Sequence, residues 1–469
     1  MTRWAWALTI AMVLPPVSAA AAVGGAKPDA LSSAPSLAWG LPFAALLVAI
    51  AFGPMLAPRI WHRRARWVMS GCILALLLPE ALIFGPAEAA AALARAVVEE
   101  YLPFITLLLA LYTAAGGVFV AGGPWGRPAG NTALLALGTL LGGIVGTTAA
   151  SMVLIHPLLA ANGHRRRKGH LVVFFIVLVA NAGGALSPIG NPPLYVGFLE
   201  GVPFFWPLQT LWPALLLLSA PLLAGFYLLD RRLAAKEGPV PSRQPRPLRL
   251  RGAVNLLLIL LVALAVVMFG IWPDGSLALP GGRLPLGRVL SVLVSLAATL
   301  VSVRITPRSV RRRNMFSWAP ILEVAELFAA IFITIGPVLA MLHAGMAGPL
   351  GGLLRRVGGA EGTPNPAAYF WLTGLLSAFL DNAPTYLVFF GMAGGDAAML
   401  TGPLARTLMA VSAGAVFFGG LTYIGAAPNL LIRAIAARRG VRMPGFFGYC
   451  GAAVLVLAVP LLLVTLVFF

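Results

Sequence analysis

The segment Ser377–Phe390 reads SAFLDNAPTYLVFF. It sets a carboxylate, Asp381, beside an amide, Asn382, and a helix-breaking Pro384, inside an apolar stretch able to enter a bilayer. A carboxylate at membrane depth is costly and by default marks an ion or proton path. A proline there frees backbone carbonyls, and a cation is one partner they can take. The chemistry this predicts is exchange, with proton and sodium competing for Asp381 and with Asn382 as a second sodium ligand. The alternative is structural: Asp-x-x-Thr, ending at Thr385, is also a helix N-capping pattern.

Three further breaks carry small polar residues. Gly142–Thr148 (GGIVGTT) leads into Thr147, Thr148 and Ser151. ALSPIGNPP contains Ser187 and Asn191, and LTYIGAAPN contains Thr422 and Asn429. Taken singly, each residue is a helix-break stabiliser; taken as a cluster, they form an oxygen-rich site suited to a hard cation. The N–H ends of broken helices suit an anion. Aligned by chemical type, Thr147 falls opposite Asp381 (381 − 147 = 234) and Gly190 opposite Gly425 (425 − 190 = 235). Paired Gly/Pro interruptions at matching places in two halves point to a transport site at their interface. Glu323, Glu326 and His156 are candidate proton relays. For the two glutamates, favourable placement at a helix N-terminus is the competing reading; for the histidine it is a packing role.

These motifs require helices long enough to span lipid. Of 469 residues, 60% are hydrophobic and 10% charged, against roughly 25% charged in soluble domains; the mean hydropathy is +0.93. Apolar runs recur along the chain, so the expected fold is an all-α polytopic membrane protein with inverted repeats, about ten spans, two re-entrant hairpins and two broken helices. The formal charge of +19 is mostly arginine in short loops. That reads as topogenic rather than nucleic-acid binding. Cys72 and Cys450 form neither a metal spacing nor a disulfide framework.

The expected organisation is a signal peptide over 1–22, spans one and two over 23–101, and a first repeat with a cytoplasmic re-entrant hairpin over 102–229. A basic linker with two spans covers 230–318, and a second repeat with an external re-entrant hairpin covers 319–469. Basic clusters at Arg59–Arg66, Arg165–Lys168, Arg231–Arg251 and Arg304–Arg313 place these segments in the cytoplasm and the mature N-terminus in the periplasm. Arg283, Arg288, Arg355 and Arg356 then lie outside, against the rule. No HExxH or GxSxG motif is present, and no nucleophile–base pair stands within the spans, so the chain does not read as an enzyme.

The segments GTTAASMVLIHPLLAAN, NAGGALSPIGNPPLYVGFLEGVPFFW, FSWAPILEVAELF, FLDNAPTYLVFF and YIGAAPNLLIRAIAARRGVRMPGFFGY resemble the ion transporter superfamily. Within it the chain is most similar to the bacterial sodium:proton antiporter group also labelled citrate transporters, related to NhaD-type antiporters and arsenite exporters. The resemblance covers nearly the whole mature chain. It implies an inner-membrane homodimer with a scaffold and a mobile transport part, working by alternating access on an ion gradient, with no cofactor and with sodium as substrate. It places Asp381, Asn382 and Thr385 at one hairpin tip, Thr147, Thr148 and Ser151 at the other, and Asn191 and Asn429 in the broken helices. The chain departs from the family pattern at Asn191, where an acidic residue is the rule, near His156, where an arginine is, and near Ala426, where an asparagine is. The leading functional expectation is a cation:proton antiporter. The alternative is cation-coupled transport of a small anion such as citrate, another carboxylate or an oxyanion.

Overall fold

Leu171–Val179 is apolar on every face, and a helix without a polar stripe must be enclosed by other helices. The computed structural model describes residues 36–56, 58–123, 126–237, 249–271, 275–279, 282–345, 348–352 and 364–469. The expected signal peptide, Arg355 and Arg356 lie outside these residues. In the segment Gly169–Leu186, 83% of residues are buried, against 17% of an 18-residue window of Arg63–Ile83. That interrupted segment is therefore the centre of the bundle rather than its lipid face.

Among the described residues eight helices are long and apolar enough to cross a membrane. Large apolar side chains face outward, with Leu82, Leu455 and Leu466 more than 80% exposed, a surface that only lipid covers without cost. The protein is an all-α polytopic membrane protein. Its few strands are short antiparallel pairs, Phe119–Ala121 with Arg249–Arg251 and Ser276–Leu279 with Gly282–Pro285.

Two hairpins and two broken spans organise the interior. The first hairpin is Pro128–Val145 and Thr147–Ala161, turning at Gly146. The second is Pro366–Leu380 and Asn382–Met392, turning at Asp381. The first broken span runs Gly169–Leu178, a 3-10 turn Ala182–Leu186, then Pro192–Leu199. The second runs Ala405–Phe417, a 3-10 turn Phe418–Leu421, then Ala427–Arg438. Pro128, Pro192, Pro366 and Pro428 stand in the first turns of their helices, where a missing N–H costs nothing. The hairpins and broken spans share one core with Trp206–Ala235 and Phe446–Phe468, and a second core gathers around Leu102–Ala115, Val254–Ile271 and Ala319–His343.

The basic stretch from Arg59 to Arg66 is helical, part of Pro58–Ile83. Arginine is a good helix former, so charge alone does not end a helix. Glu99 and Glu100 lie in a π-helical stretch, Ala96–Tyr101, within a helix running from Pro86 to Ala115. The third span thus begins at Pro86 rather than Leu102.

Candidate functional site

Each hairpin is stapled to the break of its own repeat by the same hydrogen bonds. Ser187 Oγ donates to the Gly143 carbonyl, and Thr422 Oγ1 donates to the Ala378 carbonyl. The Gly190 N–H donates to Ser187 Oγ at 3.1 Å, and the Gly425 N–H to Thr422 Oγ1 at 3.0 Å. All three pairs of positions are 235 residues apart (422 − 187, 378 − 143 and 425 − 190). Within each break two glycine backbones meet so closely that a Cβ on Gly190 would lie 2.4 Å from the Gly184 carbonyl oxygen, and one on Gly425 2.7 Å from that of Gly419.

The same offset relates the tips. Gly146 has φ 89° and ψ 141°, and Asp381 has φ 84° and ψ 146°. The structural counterpart of Asp381 is therefore Gly146, not Thr147, and Thr147 pairs with Asn382. Alignment by chemical type slipped by one residue because it matched polar groups rather than the turn. Asp381 occupies a backbone region that is almost reserved for glycine. It is one of two non-glycine residues with positive φ among those described.

The four interruptions meet through direct bonds. Asn382 Nδ2 donates to Asn191 Oδ1 at 2.8 Å, joining the second hairpin to the first break. Asn181 Nδ2 donates to Asn429 Oδ1 at 2.9 Å, joining the two breaks. The Thr147 N–H donates to the Gly190 carbonyl at 3.0 Å. Asn429 Nδ2 donates to the carbonyls of Gly419 and Thr422, and Thr385 Oγ1 to that of Asp381. Asp381 is 6% exposed, and its Oδ1 accepts the Asn382 N–H at 2.6 Å, so it caps the helix it precedes. No side chain caps the helix starting at Thr147 or the one starting at Ala427, and those two helices pack against each other.

The remaining sequence candidates divide. Ser151 is buried and its hydroxyl has no partner. Thr148 is half-buried at the tip. His156 points away from the tips: its Nε2 is 3.2 Å from the Asn314 carbonyl and its Nδ1 is 3.5 Å from Arg439 Nη2. Glu323 and Glu326 are exposed on Ala319–His343 and make no hydrogen bond to the tips. Sequence reasoning passed over Asn181, which holds the two breaks together. Its signal was an amide two residues before the Gly183–Gly184 pair, in a stretch otherwise fully apolar.

What this arrangement can do follows from its ends. Helix starts without a side-chain cap carry partial positive charge, a setting for an anionic group, although the Thr147 N–H is given to the Gly190 carbonyl and Pro428 has none to give. A buried carboxylate with backbone carbonyls nearby is a setting for a cation. Asp381, Asn382 and the surrounding carbonyls fit sodium in the chemistry of their donors.

A family model described as "Putative citrate transport" matches residues 32–469. No curated protein matches the chain.

Proposed function

The chain belongs to this citrate-transport family, and from that premise we propose that it is a secondary active transporter of a small carboxylate anion, citrate or a relative, coupled to a cation. The reading is carried by the split character of the site. Helix starts without a side-chain cap at Thr147, Pro192 and Ala427 bring partial positive charge, and Asp381 brings a buried, strained carboxylate. An anion held by the helix starts is repelled by Asp381 unless a proton or sodium neutralises that carboxylate. Each ligand therefore raises the affinity for the other, and coupling of this kind is reciprocal. The amide pair Asn382–Asn191 spans both repeats, so it sits where either ligand alters the fit of the two halves.

The second reading is the cation:proton antiporter of the inner membrane. Its support is that Asp381 has no cationic partner among the described residues, which leaves its charge available to an exchanged ion. Under either reading the N-terminus is proposed to be periplasmic, the organisation that of two inverted repeats around a two-span linker, and the assembly a homodimer.

Transport in reconstituted vesicles separates the two. Labelled citrate is expected to accumulate only under an inward sodium or proton gradient, and Asp381→Asn to reduce that coupling by about ten-fold or more, a loss of about 1.4 kcal/mol. Dissipation of ΔpH in everted vesicles by sodium or lithium, with no response to citrate, would instead establish the antiporter.

A further inference from the structure

The largest buried ionic cluster of the described residues is far from the tips in sequence, at the base of the first hairpin. Asp230, near the end of Trp206–Ala235, is fully buried. It pairs with Arg165 and with His170 Nε2, the latter at 2.8 Å, and accepts from Asn131 Nδ2 at 2.9 Å. Asn131 opens the first hairpin, while Asn162 and Arg165 follow its last turn. Asn131 and Asn162 exchange amide hydrogen bonds at 3.1 and 2.9 Å. Arg165 Nη2 donates to the Gly126 carbonyl at 2.9 Å, and the Gly126 N–H donates to Asn131 Oδ1 at 3.0 Å. Just past the end of Trp206–Ala235, the Glu237 carboxylate accepts the backbone N–H groups of Arg166 and Arg167 at 3.1 and 2.8 Å.

We infer that Asp230 is a positioning residue that fastens both ends of the first hairpin to Trp206–Ala235, so that this hairpin presents its tip from a rigid base while the second hairpin, among the described residues, is held only by neutral contacts. The 235-residue offset makes the comparison direct. It puts Pro366 at the place of Asn131, Leu400 at that of Arg165 and Thr465 at that of Asp230. Thr465 Oγ1 accepts one neutral hydrogen bond, from Trp371 Nε1 at 3.1 Å. No ion pair involves residues 366–392 among those described. Removing one partner from a buried ionic cluster strands the rest, whereas losing a neutral hydrogen bond leaves a smaller defect. The two hairpins therefore differ in how firmly their bases are fixed, although their tips share one geometry.

Hydrogen–deuterium exchange of the purified full chain in lipid nanodiscs tests this without reference to any substrate, so its outcome is independent of the transport reading above. Asp230→Asn is expected to speed exchange across residues 128–161 by about ten-fold or more, with residues 366–392 changed less than about two-fold. Thr465→Val is expected to speed exchange in residues 366–392 by less than Asp230→Asn speeds it in 128–161. Unchanged exchange in 128–161, or equal acceleration of both hairpins, overturns the inference. If Asp230→Asn does not accumulate, His170→Phe and Asn131→Leu each remove one donor to Asp230. Each is expected to loosen 128–161 selectively by about three-fold, and a uniform effect again overturns it.

Discussion

Asp381 combines two costs, a buried carboxylate and a glycine-like backbone. Holding a non-glycine residue in that region costs about 1–3 kcal/mol, while replacing an N-cap aspartate by glycine costs only a few tenths. Asp381→Gly is therefore expected to raise thermal stability by about 1–2 kcal/mol while abolishing coupled transport, which thermal unfolding and uptake measured on one preparation would establish. A simple loss of stability would mean that capping is the whole role of the side chain. The asymmetry at the neighbouring position belongs to the same scale. The offset pairs Asn191 with Ala426, and their backbones match, with φ −147° and ψ 141° against φ −155° and ψ 142°. Only the first repeat thus offers an amide to the opposite hairpin. Asn191→Ala leaves Asn382 Nδ2 without its acceptor and is expected to cost about 1–3 kcal/mol. Sequence made Asp381 and Asn382 legible, because charge and amide in an apolar run are rare. It hid the equivalence with Gly146, because a turn angle leaves no mark in residue chemistry when glycine and aspartate share it.

The breaks are the elements that sequence described best, since Gly/Pro clusters inside apolar runs have few other uses. What it could not supply was their partners. Ser187 and Thr422 entered as candidate ligands, yet their hydroxyls are spent on the Gly143 and Ala378 carbonyls. Ser187→Ala and Thr422→Val are therefore expected to cost a similar amount, about 1 kcal/mol each, read as equal shifts in thermal unfolding. A markedly larger transport defect for one of them would give that hydroxyl a second role. A helix tolerates arginine and glutamate when their heads find partners or water. Arg288 illustrates the partner. Its guanidinium donates to the Leu199 carbonyl at 2.7 Å, capping a helix end. Burial raises the Glu200 carboxyl above its ordinary range and Arg288 opposes that shift.

At the scale of the molecule, the first interrupted span is the most enclosed of the candidate spans among the described residues and carries no Asp, Glu, Lys or Arg. The orientation proposed above has a direct measurement. In a background lacking Cys72 and Cys450, an external thiol reagent is expected to label Gly394→Cys and not Arg166→Cys, both exposed positions; the opposite pattern reverses the orientation.

The staple that recurs after 235 residues has a practical consequence. Every bond that holds a hairpin to its own break lies wholly within one repeat. A polypeptide severed between Glu237 and Arg249 keeps each set of staples intact, with the Asn382–Asn191 and Asn181–Asn429 contacts left to bring the pieces together. Two fragments expressed side by side in one cell should then reassemble and co-purify, whereas either fragment made by itself would expose half of a shared interior.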